Sequence, residues 1–172
     1  MALTKILAGG MSVGVTMADQ FRLSASFSTN SATITGWERP TDANGNNMRF
    51  AQLGTGMTES SGIFTFPSTG YYIVYVSGEL ATTSGDGFGA IELQVTEDNS
   101  TYVVAAYSIA HGSAAGGTNR GNGSMMNLMN ITDTANQKFR TQTESFTSGT
   151  QLLGDGDYNR SAITVFKIVD SQ

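Results

Sequence analysis

Gly62-Ile-Phe-Thr-Phe-Pro-Ser-Thr-Gly-Tyr-Tyr-Ile-Val-Tyr-Val76 is the stretch that says most about the fold. Pro67 and Gly70 bracket a turn between two β-rich runs, since proline fixes φ and glycine accepts backbone angles that side chains resist. Phe64 and Phe66 point such a chain into a core. From Tyr71 onward strict alternation fails: Tyr71, Ile73 and Tyr75 on one face and Tyr72, Val74 and Val76 on the other are all apolar or aromatic. In an antiparallel sandwich only one face meets the opposite sheet, so the second needs a loop or another subunit to cover it. Tyrosine favours subunit contact, and we expect Tyr71, Tyr72, Ile73, Val74 and Tyr75 to supply an interface between copies of the chain, with the choice of face open.

The rest of the sequence agrees with an all-β reading. Ala90 to Thr96 alternates cleanly, with Ile91, Leu93 and Val95 opposite Glu92, Gln94 and Thr96. Glu97-Asp98-Asn99-Ser100 then turns the chain into Thr101 to Ile109, a hairpin. Further strands are expected at Phe21 to Phe27, Arg49 to Leu53, Gly62 to Phe66, Tyr71 to Leu80, Met125 to Ile131, Gln137 to Thr143 and Ala162 to Val169. Asn44-Gly45, Asp86-Gly87, Asn122-Gly123 and Asp155-Gly156 read as tight turns, and His111 to Gly123 as one long surface loop. Helical periodicity is nearly absent. These runs predict a jelly-roll sandwich of two antiparallel sheets over residues 21–172, preceded by an N-terminal arm over residues 1–20.

Composition narrows the function. The 172 residues carry a net charge of −5, so the basic footprint of nucleic-acid binding is missing. Only 13% of residues are charged, against about 25% in an ordinary chain. The only lysines are Lys5, Lys138 and Lys167, and a lysine-poor surface suits interfaces, although a habitat bias would give the same composition. Without cysteine there is neither disulfide nor thiolate site. No run has the length of a signal-peptide core or a membrane span, so we expect assembly in a cytoplasm and no membrane partner.

The order Gly62, apolar, Phe64, Thr65, any residue, Pro67, two residues, Gly70 and an aromatic-rich strand resembles the signature of the complement globular-head and tumour-necrosis-factor jelly rolls. The apolar run Ala162 to Val169 matches that family's closing strand, and Phe21 to Phe27 its opening one. Where the family has Gly-Asp before the penultimate long strand, this chain has Thr134-Ala-Asn-Gln-Lys138. The start Met1-Ala-Leu-Thr-Lys-Ile6, the middle Ile34-Thr-Gly-Trp-Glu-Arg39 and the run Gly54 to Pro67 are similar to small structural proteins of marine bacteriophages. The resemblances imply a homotrimer packed through its inner sheets and a virion structural role.

His111 is the only histidine, so at most one triad could exist, and a glycine-rich setting is a poor place to hold it rigid. Asp155, Asp157 and Asn159 offer oxygen ligands but lack the downstream bidentate Glu of a calcium loop; a plain turn is the better reading. No enzyme, cofactor or metal site is expected. Trp37, His111 and Tyr158 are the candidate ligand contacts, although a lone tryptophan is more often a packing residue at the sandwich edge. Leu3, Ile6, Leu7 and Met11 share one helical face in the arm and are the candidate capsid-docking residues. The expected function is a trimeric capsid decoration, or cement, protein on the virion surface, bound to the major capsid protein or another virion protein. The alternative is the receptor- or glycan-binding head of a short phage fibre.

Overall fold

Period-two burial runs through the chain and sorts it into two layers. The computed structural model describes residues 15–40, 52–82, 87–111, 119–147 and 149–170. Its strands are β1 (Met17–Leu23), β2 (Trp37–Glu38), β3 (Thr58–Ser60), β4 (Ile63–Thr65), β5 (Gly70–Thr82), β6 (Phe88–Thr96), β7 (Val103–His111), β8 (Asn119–Ile131), β9 (Lys138–Glu144), β10 (Gln151–Leu152) and β11 (Ala162–Val169). One sheet has the order β3-β4-β9-β6-β7. The other has the order β10-β5-β11-β1-β2, with β8 along the opposite edge of β5. Every pairing is antiparallel. The expected all-β jelly roll of two antiparallel sheets is the fold observed. Among the described residues no helix is long and apolar enough to cross a membrane.

The core between the layers is aromatic at its centre. Phe64 of β4 stacks on Phe139 of β9 at 4.7 Å, and Phe21 of β1 meets Phe64 edge-on at 5.0 Å. Phe66 closes the cluster against Tyr72 of β5 at 4.7 Å. Gly62 shapes the entry to β4. Its φ is +83°, and an added Cβ would lie 2.4 Å from the Ile34 carbonyl oxygen, so no side chain fits there. After β6 the turn closes on Asp98, whose Oδ1 accepts the N–H groups of Ser100 and Thr101 at 2.9 and 2.7 Å. Those donors, Thr101 first, hold the Asp98 carboxyl well below the usual carboxylate range.

Several boundaries differ from expectation. β1 begins at Met17, so the sheet takes in residues assigned to the arm; residues 1–14 lie outside the described ones. β1 ends at Leu23, where Ser24 turns away to bond Gly36 O through its N–H and hydroxyl, and Phe27 returns only as a bridge to Leu152. Of the strand expected at Arg49 to Leu53, residues 49–51 lie outside the described ones, and Leu53 makes a single bridge to Ala18. The turns at Asn44-Gly45 and at Asp86 also fall outside.

The stretch assigned as a loop from His111 to Gly123 is strand at both of its described ends. β7 runs to His111, β8 starts at Asn119, and Asn122-Gly123 pairs with Glu79 and Gly78 instead of turning; residues 112–118 lie outside the described ones. The physical reason is close approach. β7 and β8 are the edge strands of the two sheets, and an added Cβ on Gly123 would fall 2.3 Å from Ser108 Oγ. Glycine here lets two backbones meet across the seam of the sandwich.

Candidate functional site

The pleat of β5 settles the orientation of the tyrosine-rich strand. Tyr72, Val74, Val76 and Leu80 point into the core and are fully buried. Tyr72 and Val74 therefore cannot line an interface between copies, a correction to the sequence expectation. The Tyr72 ring packs on Phe66, and its hydroxyl donates to Ser68 O at 2.9 Å. The sequence held a usable signal: continued past Val76, the even row stays apolar to Leu80, whereas the odd row turns polar at Ser77 and Glu79.

Tyr71, Ile73 and Tyr75 face outward. Tyr75 sits between Met126 of β8 and Thr164 of β11, and Ile73 between Leu128 and Phe166. Met126 is 64% exposed, Leu128 61% and Tyr75 40%. This is a contiguous apolar patch on the open face of the six-stranded sheet, and sequence reading missed the β8 half of it. A second exposed apolar row, Val103, Val104, Tyr107 and Ile109, runs along edge strand β7 of the other sheet.

Beyond Ser77 the patch gives way to charge. Glu79 accepts from Arg120 at 3.1 Å and from Arg160 at 3.3 Å. Arg160 also donates to the Tyr158 hydroxyl at 2.8 Å, and that bond is the main cause pushing its pKa up. Tyr158 is exposed and tied into this cluster. Asp155 accepts the N–H of Asp157 at 2.8 Å, and the Asn159 amide donates to Gln20, so the run behaves as a turn. No group of three or more His, Cys, Asp or Glu suited to a metal occurs among the described residues.

Trp37 is 4% exposed and donates from Nε1 to Thr141 Oγ1 at 3.2 Å. At that burial it packs in the core, so the expectation of an exposed stacking platform is corrected. Beside it Arg39 holds the buried Asp19 carboxylate at 2.8 Å, and Asp19 also accepts the Met57 N–H at 2.7 Å. The Asp19 hydrogen bond is the main cause raising the Arg39 pKa. His111 lies exposed at the end of β7, its ring 6.2 Å from that of Phe88. Among the described residues no contact joins Trp37, His111 and Tyr158. Leu3, Ile6, Leu7 and Met11 lie outside the described residues.

No family model matches the chain, and no curated protein does. Among solved structures, that of Eiger TNF from S. frugiperda is similar over 92% of this chain and 96% of its own, with a TM-score of 0.65 and 16% identity. At that identity the likeness shows the fold alone, and the fold it shows is a tumour-necrosis-factor-like jelly roll.

Proposed function

We propose that this chain is a non-enzymatic assembly module, a homotrimer that decorates a virion surface. The observation that carries self-association is the open face of the six-stranded sheet. An exposed patch built from Tyr71, Ile73, Tyr75, Met126, Leu128 and Phe166 has no cover within the described chain, and such surfaces are normally buried by a partner. A closed ring of three requires two different patches, one from each side of the contact. The β7 row of Val103, Val104, Tyr107 and Ile109 supplies the second.

The non-enzymatic part rests on the absence of cysteine and on a sole histidine exposed at a strand end. The virion placement draws on the sequence resemblance. The decoration reading is preferred to a glycan-binding head because burial of Trp37 removes the aromatic platform on which that head relied. Two measurements test the proposal. Sedimentation of the purified chain should give the mass of three subunits, and a stable monomer overturns it. Deleting residues 2–14, which leaves β1 whole, should give trimers that no longer bind particles lacking the protein; undiminished binding removes the docking role of Leu3, Ile6, Leu7 and Met11.

A further inference from the structure

The sandwich is open at one end. Where β6 runs out at Thr96, β9 enters at Lys138 and β8 passes through Asn127 to Ile131, the sheets part around a cleft of about 170 Å³. Val95, Met129 and Ile131 form its apolar lining. Its polar lining includes Glu97, Asn127 and Lys138, and no hydrogen bond or ion pair engages these three side chains among the described residues. Lys138 thereby differs from Arg22, Arg39, Arg120, Arg160 and Lys167, each of which has a carboxylate partner. Lys138 pairs in register with Thr96, the neighbour of Glu97, yet the two charges stay apart.

We propose that this cleft binds a small zwitterion with an aliphatic or thioether tail, of which a free α-amino acid such as leucine or methionine is the simplest form. The ligand carboxylate meets the Lys138 ammonium, and the ligand ammonium meets the Glu97 carboxylate. The Asn127 amide, both donor and acceptor, serves either end. The tail displaces water from Val95, Met129 and Ile131. Charge complementarity selects this class: a purely apolar ligand leaves the half-buried Lys138 ammonium beside hydrocarbon and gives the Glu97 carboxylate no partner. A sugar has no aromatic face to stack on here, since no aromatic residue among the described ones lines the cleft. The volume lies below the roughly 300–1,000 Å³ of sites for drug-sized ligands, so the ligand is small. The site is independent of the assembly reading.

The test is calorimetric titration of the full chain with L-leucine, with 4-methylpentanoate, which lacks the ammonium, and with isopentylamine, which lacks the carboxylate. We expect saturable leucine binding and at least about tenfold weaker binding of each truncated probe. Lys138→Met should weaken leucine by at least about tenfold and leave isopentylamine unchanged; Glu97→Gln should weaken leucine similarly and leave 4-methylpentanoate unchanged. The three-probe comparison on the unaltered chain stands even if a variant misfolds. Failure of leucine and methionine to bind in the millimolar range, equal binding of all three probes, or leucine binding that survives both substitutions overturns the proposal.

Discussion

The outward faces of the two sheets are built on the same pleat and finished differently. On the five-stranded sheet, Gln94 donates to Glu92 at 2.6 Å, Arg140 donates to Gln94 at 2.8 Å, and the Arg140 guanidinium lies 4.1 Å from the centre of the Tyr102 ring. Its central strands carry a ladder of side chains that satisfy one another and water. On the six-stranded sheet the equivalent rows are Met126-Tyr75-Thr164 and Leu128-Ile73-Phe166, with almost nothing to bond. The centre of one face is complete as a surface, and the centre of the other is what we propose to be half of a contact. Alternation alone tells only that a strand has two faces; the chemistry of the outward one tells whether the subunit ends there.

The sharpest way to break that contrast is to charge the apolar face. Tyr75→Asp combined with Met126→Asp should cost several kcal/mol per subunit on burial and raise the concentration for half-dissociation by about 100-fold or more. Light scattering should then report monomers whose circular dichroism is unchanged. Phe64→Ala acts on the core both sheets share. It should lower unfolding stability by about 3–5 kcal/mol in denaturant titration, because it opens a cavity against Phe21 and Phe139.

On the polar face, Arg140→Met should cost only about 1 kcal/mol, the worth of one short and one long hydrogen bond and one stack at a half-exposed site, with no change of oligomeric mass. The smallest effect belongs to the β6–β7 turn. The Asp98 pKa is lowered in the fold, so its contribution is present above the ordinary carboxylate pKa and is lost as pH falls through the lowered one. Asp98→Ala should therefore lower the thermal midpoint slightly at neutral pH, and the difference from the parent should begin to close below about pH 4. A gap that widens on acidification would contradict this.

Much of the fold was legible because burial repeats every second residue. Ala90 to Thr96 and Ala162 to Val169 fall within one or two residues of β6 and β11. β2, β3 and β10 were not legible. Two or three residues long, they exist only because a neighbouring edge offers partners, a tertiary cause with no local trace. The first half of β8 reads as a loop in the sequence for the opposite reason. Gly121 and Gly123 have the composition of a turn, but the crowding of Ser108 and His111 demands glycine within a strand. At the candidate surface, Tyr71, Ile73 and Tyr75 could be named from sequence, while Met126 and Leu128 could not. Their membership depends on which strand lies beside β5, and register is invisible to a single-strand pattern.

The position of β11 has a consequence for synthesis. It lies between β5 and β1, so the middle of the six-stranded sheet is filled by a segment that a ribosome makes long after both its neighbours. Gln20 waits for Thr164, 144 residues later, before their side chains can bond. Until β11 clears the exit tunnel, β1 and one edge of β5 are open strand edges flanked by apolar side chains. Such a nascent chain cannot close its sandwich piecemeal, and the late arrival of one strand ties folding to the synthesis of β11. A stall before Ala162 exposes the core and the apolar patch together, which makes an interrupted product a target for chaperones or for aggregation.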